Sequence, residues 1–206
     1  SALLHGKEAR RNALIQGEAI CHAGMTWRYS HSFQEGDPLL ALDAEARIGF
    51  ASRDAQRQAD AALTEHLALN EDDAIPKKLD TIALSPTGDI LLIEVKDEAG
   101  DIRRAVTQAA AHVARFRELL AGDLHQSLSR LLAQKRAIGL IPDLGPMLAP
   151  VPQVIPWVAA PDRRADWAER WSAESADLRH KWRGLISELR WVQLTEYGHV
   201  LEVRTP

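Results

Sequence analysis

The sequence predicts an α/β protein, and two observations carry that prediction. First, residues 79–84 and 90–96 are apolar on both faces. Ile82, Leu84, Ile90 and Leu92 share one face, and Leu79, Ala83, Leu91, Ile93 and Val95 the other. A strand apolar on both sides belongs inside a sheet covered on both sides, as in α/β folds. Second, long segments with an apolar residue every three or four positions flank these strands, which is the helical period.

Taken in order, residues 7–23 read as a helix closed by Gly24. Strand-like alternation follows, with Trp27, Tyr29, His31 and Phe33 on one face. Asp37-Pro38 marks a loop, and a short strand is expected at 47–51. Ser52 is a good N-cap for a helix reaching about Leu69, with Ala55, Ala59, Ala62, Leu63 and Leu67 as its stripe. An acidic turn region covers 70–76. The two strands 79–84 and 90–96 are joined by Ser-Pro-Thr-Gly-Asp, a run of turn formers. A helix is predicted over 101–121, its stripe being Ile102, Ala105, Val106, Ala109, Val113, Phe116 and Leu120, with Gly122 as stop signal. A second helix covers 124–137. The Pro-rich segment 142–156 leads to a strand ending near Ala159. Pro161-Asp162 opens a helix with Trp167, Trp171, Leu178, Trp182, Leu185 and Leu189 on one side. A hairpin, 191–195 and 199–204, completes the reading. No repeat or low-complexity segment interrupts it. One domain over 1–206 is expected, with a core at about 45–160 and the C-terminal helix and hairpin of 161–206 packed on it.

With 206 residues the chain has enough length for one sizeable core. A formal charge of −4 gives no basic balance, so a nucleic-acid partner would need a local basic face and cations. The lone Cys21 excludes an internal disulfide and a cysteine-based zinc site, and it fits a reducing cytoplasm. No apolar run approaches the roughly 20 residues of a membrane span, and no signal-peptide pattern is visible. A cytoplasmic protein without a membrane partner is the expectation.

The chemistry concentrates in the hairpin 78–96. If its strands pair symmetrically about Thr87, Leu84 faces Ile90 and Asp80 faces Glu94, with Lys96 on the same face as Glu94. Like charges directly opposite destabilise a sheet. At the end of buried strands two carboxylates and an ammonium need compensation from each other or from a cation. A hard divalent ion such as Mg²⁺ takes one or two carboxylates and keeps its other positions for water and phosphate. Such an ion activates water and neutralises charge on a phosphate.

Asp80, the run LLIEVK ending in Glu94-Val95-Lys96, and a following helix with Gln108 resemble the PD-(D/E)XK nuclease superfamily. The likeness covers about residues 76–120, and Leu79 stands where that pattern often has Pro. It implies a restriction-endonuclease-like fold, a three-layer core with a central mixed sheet flanked by helices. It implies that Asp80, Glu94 and the Val95 carbonyl hold Mg²⁺ or Mn²⁺, that Lys96 is the catalytic lysine, and that Gln108 helps order the site. The family often adds an acid from its first core helix. Asp60 ranks first for that place, Glu65 second, and Glu18 applies if residues 7–23 are that helix. The activity implied is metal-dependent phosphodiester cleavage of DNA, in bacterial restriction, repair or recombination, with a homodimer as one assembly to test.

Two rival readings have their own logic. A non-catalytic binding or assembly module keeping this fold would use the Trp-bearing helix and the terminal hairpin as a partner surface. A small-molecule α/β enzyme lacks support, because neither a Gly-rich phosphate loop nor a Ser or Cys nucleophile motif is present. The spacing of the tryptophans favours core over a base-stacking platform. His112 and His125 read as surface or helix-flank residues. Arg104, Gln108 and Arg115 share a helix side that would suit phosphate.

Overall fold

A computed structural model of the chain describes residues 39–47, 52–69, 78–96, 102–139, 141, 145–194 and 200–206. The expected helix at 7–23, the alternation at 27–33 and Glu18 lie outside these residues. The described residues form a six-stranded mixed sheet with helices, an α/β architecture as expected. Its strands are β1 (Leu40–Arg47), β2 (Lys78–Leu84), β3 (Ile90–Val95), β4 (Val154–Ala160), β5 (Arg190–Leu194) and β6 (Val200–Arg204), side by side in that order. The helices are α1 (Arg53–Leu67), α2 (Ile102–Leu120), α3 (Leu124–Ala137), α4 (Trp167–Glu174), α5 (Ala176–Lys181) and α6 (Arg183–Ile186).

The outer pairs β1/β2, β2/β3 and β5/β6 are antiparallel, whereas β3/β4 and β4/β5 are parallel. Parallel neighbours need long crossovers. The chain supplies them with α2 and α3 after β3, and with α4 to α6 after β4. The C-terminal hairpin extends the same sheet.

The β2/β3 register is the symmetric one, with Leu84 opposite Ile90, Ile82 opposite Leu92 and Thr81 opposite Ile93. The turn between them is built by its own side chains. Ser85 Oγ accepts from the Asp89 amide at 3.0 Å, and the Gly88 amide donates to Ser85 O at 2.9 Å. Gly88 has φ +85, and a Cβ there would lie 2.1 Å from the Met147 carbonyl oxygen. Glycine is required for both reasons. The Asp89 carboxylate accepts from the Gln153 amide at 3.0 Å, which ties the turn to the lead-in of β4.

Pro156 lies within β4, a central strand where proline is normally excluded. The bonds from Ile90 N to Gln153 O and from Lys96 N to Ala159 O turn the odd-numbered residues of β4 toward β3. Pro156 therefore faces the β5 side, and the β4/β5 ladder begins only at Trp157. Its missing N–H removes no ladder bond.

A strand runs over Leu40–Arg47, and the strand expected at 47–51 lies, beyond Arg47, outside the described residues. The segment LALDAEAR is rich in helix formers, yet it pairs with β2 from Leu40/Leu84 to Arg47/Lys78. Pairing and the burial of Leu40 and Leu42 override that local preference. Ser52 caps α1 as expected, its hydroxyl accepting from the Ala55 amide at 3.1 Å.

The single helix expected after Pro161 is three short ones, interrupted at Ser175 and Trp182. Ser175 is fully buried and its hydroxyl donates to the Trp171 carbonyl at 2.7 Å. The Asp162 carboxylate starts no helix. It accepts from the Arg164 side chain and amide and from Trp171 Nε1 at 3.0 Å. The breaks turn Trp167, Trp171, Trp182 and Ile186 toward one core with Trp191. Trp167 and Trp171 meet edge-to-face at 4.8 Å, and Trp171 and Trp191 at 5.8 Å. These tryptophans are core, not a stacking platform.

Helix α2 is central among the described residues. It is buried on nearly every side, because its alanines let it sit between the sheet, α1 and the tryptophan core. The opposite sheet face carries Ala83, Leu91, Ile93, Trp157, Ala159, Val192 and Leu194, all buried. Among the described residues no helix is long and apolar enough to cross a membrane.

Candidate metal centre

The candidate site lies where β2 and β3 part. The β2/β3 ladder ends at Thr81/Ile93, while β2 stays paired with β1 down to Lys78 and β3 stays paired with β4 to Val95/Ala159. The two strands are each held by their outer neighbours, so a wedge opens between them at the carboxyl end of β3. In α/β sheets ligands bind beyond the carboxyl ends of parallel strands. Asp80 and Glu94 flank this wedge. They share the sheet face of Ile82, Leu84, Ile90 and Leu92, the face covered by α2.

Direct cross-strand pairing of Asp80 with Glu94 is replaced by a tighter link. Asp80 Oδ2 accepts from the Val95 amide at 2.8 Å, taking the place of a backbone acceptor where the ladder has ended. The Val95 amide therefore faces the β2 side, and in an extended strand its carbonyl shares that side.

Glu94 is only 2% exposed, wedged beside Val158 on β4 and beneath α2. Oε1 accepts from Lys96 Nζ at 2.5 Å, and the Lys96 side chain is itself mostly buried. Oε2 is buried without a hydrogen-bond partner. Burial, with the nearby Asp80 charge, raises the Glu94 carboxyl to about 7 against the opposing pull of Lys96 and Arg104.

Helix α2 presents Arg104, Gln108, His112 and Arg115 along one side, spaced by four, four and three residues. Gln108 is half-buried and its side-chain oxygen is enclosed without a partner. His112 corrects the surface reading. It is 1% exposed, and its Nε2 lies 3.8 Å from Glu94 Oε2. Neither ring nitrogen has a hydrogen bond of normal geometry. Burial first, then the Arg115 charge, lowers its pKa to about 4, with the Lys78 backbone pulling the other way. The sequence signal for His112 was its place four residues after Gln108.

Arg115 does not face phosphate. It is buried and paired with Asp60 of α1. Burial lowers its pKa, and the Asp60 carboxylate raises it. Asp60 is thereby committed as the counter-ion of Arg115, and Glu65 lies exposed on α1. Among the described residues no three His, Cys, Asp or Glu side chains gather as a metal-ligand group. The structure thus brings Glu94, Lys96 and His112 together, joins Asp80 to Val95, and keeps Asp60 and Glu65 out of that set. His125 is half-buried, its Nε2 3.0 Å from the Ala149 carbonyl.

The donor set fits a hard divalent ion. Two carboxylates and a backbone carbonyl are all oxygen, few enough to leave positions for water and phosphate. The buried, partnerless oxygens of Glu94 and Gln108 are the local sign of a missing polar or cationic neighbour. Lys96 supplies a positive charge to Glu94. Compared with protein-family models, curated proteins and solved structures, the chain matches none.

Proposed function

We propose that this protein is a metal-dependent phosphodiesterase of the PD-(D/E)XK type, with a restriction-endonuclease-like core, acting on DNA. One observation carries the reading. A buried glutamate at the carboxyl end of β3 has one oxygen on a lysine two residues away and the other without a partner, beside a wedge that holds a second carboxylate.

Asp80, Glu94 and the Val95 carbonyl are the residues that would hold Mg²⁺ or Mn²⁺. The ion supplies a water of lowered pKa and neutralises charge on the scissile phosphate. Phosphodiester hydrolysis joins a water oxygen to phosphorus and breaks one bridging P–O bond, whose oxygen leaves with a proton. Lys96, released from Glu94, orients the attacking water or faces the growing phosphate charge. Gln108, one turn before His112 on α2, carries a buried side-chain oxygen without a partner. Arg104, exposed one turn before Gln108 and close enough to act on Glu94, offers a cation to the nucleic-acid backbone.

The test compares wild type with Glu94→Ala on plasmid, linear duplex and single-stranded DNA, with Mg²⁺ or Mn²⁺ and with EDTA. Cleavage by wild type with metal, lost in the variant, is expected. A folded wild type that cuts none of these substrates would overturn the enzyme reading and favour a binding module on the same scaffold.

A further inference from the structure

We propose that His112 is a positioning residue for the metal centre, holding the free oxygen of Glu94 so that the carboxylate presents its other oxygen to a divalent cation. The proposal rests on the reading of Asp80 and Glu94 as metal ligands. Its observations are geometric. His112 and Glu94 are both buried, at 1% and 2% exposure. Nε2 of the ring and Oε2 of the carboxylate face each other at 3.8 Å, and neither has a hydrogen bond. Two enclosed polar groups facing one another unpaired are costly, and a shift of under about 1 Å would make them donor and acceptor.

Lys96 explains why the gap stands open. Its ammonium holds Oε1, the carboxylate oxygen that does not face the ring, at 2.5 Å. A cation taking over Oε1 frees Lys96, and the carboxylate then has room to settle back against the ring. His112 also lies against the backbone of Lys78, two residues before Asp80. One ring thus touches both strands that carry the carboxylates. Residues that orient a ligand through a hydrogen bond commonly contribute about 10- to 100-fold in metal affinity.

The experiment is Mn²⁺ titration followed by the electron paramagnetic resonance signal of the free ion, independent of DNA cleavage. Wild type, Glu94→Ala, His112→Phe and His112→Gln are compared, each first checked by a thermal melt. His112→Phe is expected to weaken Mn²⁺ binding on the order of 10-fold or more. His112→Gln, whose amide can donate to Oε2, is expected to recover most of it. If the Phe variant does not fold, His112→Asn, too short to reach Oε2, replaces it. Two results would overturn the proposal alone: wild-type affinity in the Phe variant while Glu94→Ala abolishes binding, or folded Gln and Phe variants equally weak. A wild type that binds no Mn²⁺ removes the metal-site reading and this proposal with it.

Discussion

Glu94 and His112 should have opposite and nearly cancelling effects on stability, which single substitutions would expose. In the metal-free protein Glu94 is raised from 4.5 to about 7, so between these values the folded state holds a proton that the unfolded chain releases. This contribution is present at low pH and is lost as pH rises through that window. His112 is lowered from 6.5 to about 4, so between these values the unfolded chain holds the proton. Its contribution is present above 6.5 and is lost as pH falls toward 4. Each displacement of roughly 2.5 in pKa, at about 1.4 kcal/mol per unit, corresponds to about 3–4 kcal/mol in full, of which about 3 falls between pH 4 and 7. In wild type the pair binds one proton through pH 4.5–6.5 in both states, carried by Glu94 when folded and by the histidine when unfolded. Its net effect on stability there is close to zero.

Glu94→Gln leaves the His112 slope alone, and its stability relative to wild type should fall by about 3 kcal/mol as pH drops from 7 to 4. His112→Phe leaves Glu94 alone, and its relative stability should fall by a similar amount as pH rises from 4.5 to 7. Urea unfolding in EDTA at half-unit pH steps reads both, with wild type subtracting the background from other groups. Two variants that track wild type within about 0.5 kcal/mol across the range would refute the claim that burial controls this pair.

Two further substitutions test the surroundings. Asp60→Asn removes the carboxylate that pairs with buried Arg115. Asp60 is about one-third exposed, so the cost should fall between that of a surface pair and a buried pair, about 2 kcal/mol by urea unfolding. Mn²⁺ affinity should not change, and a large loss of it would return Asp60 to the ligand set. Gly88→Ala places a Cβ against the Met147 carbonyl at positive φ, with an expected cost of about 3 kcal/mol or a melting point roughly 6–12 °C lower. A melting point within about 2 °C of wild type would show that the turn and the 147–149 loop separate freely.

The parts of this architecture set by local chemistry could be read from sequence. The turn-forming run around Thr87 and the two-faced apolar strands were enough to give the β2/β3 register. The same pattern placed Glu94 and Lys96 on one face. What escaped was decided by distant packing. The segment Leu40–Arg47 has helix-forming composition, and only its ladder with β2 makes it a strand. The end of the β2/β3 ladder at Thr81 depends on both outer strands, so the Asp80 bond to the Val95 amide could not follow from hairpin symmetry. A one-sided apolar stripe on α2 leaves His112 at the surface or the helix flank. The helix is buried nearly all round, where a histidine is enclosed whichever way it points. The Asp60–Arg115 pair spans 55 residues and depends on how α1 docks against α2. No Gly or Pro marks the break at Ser175 within the tryptophan-bearing region.

The metal centre itself is tested most directly by crystals soaked in Mn²⁺ and measured at the manganese absorption edge. An anomalous peak is expected in the wedge between β2 and β3, bonded to Asp80, Glu94 and the Val95 carbonyl, with Lys96 Nζ withdrawn from Glu94. Saturating Mn²⁺ that leaves the wedge without a peak and the Lys96–Glu94 pair closed would contradict this assignment.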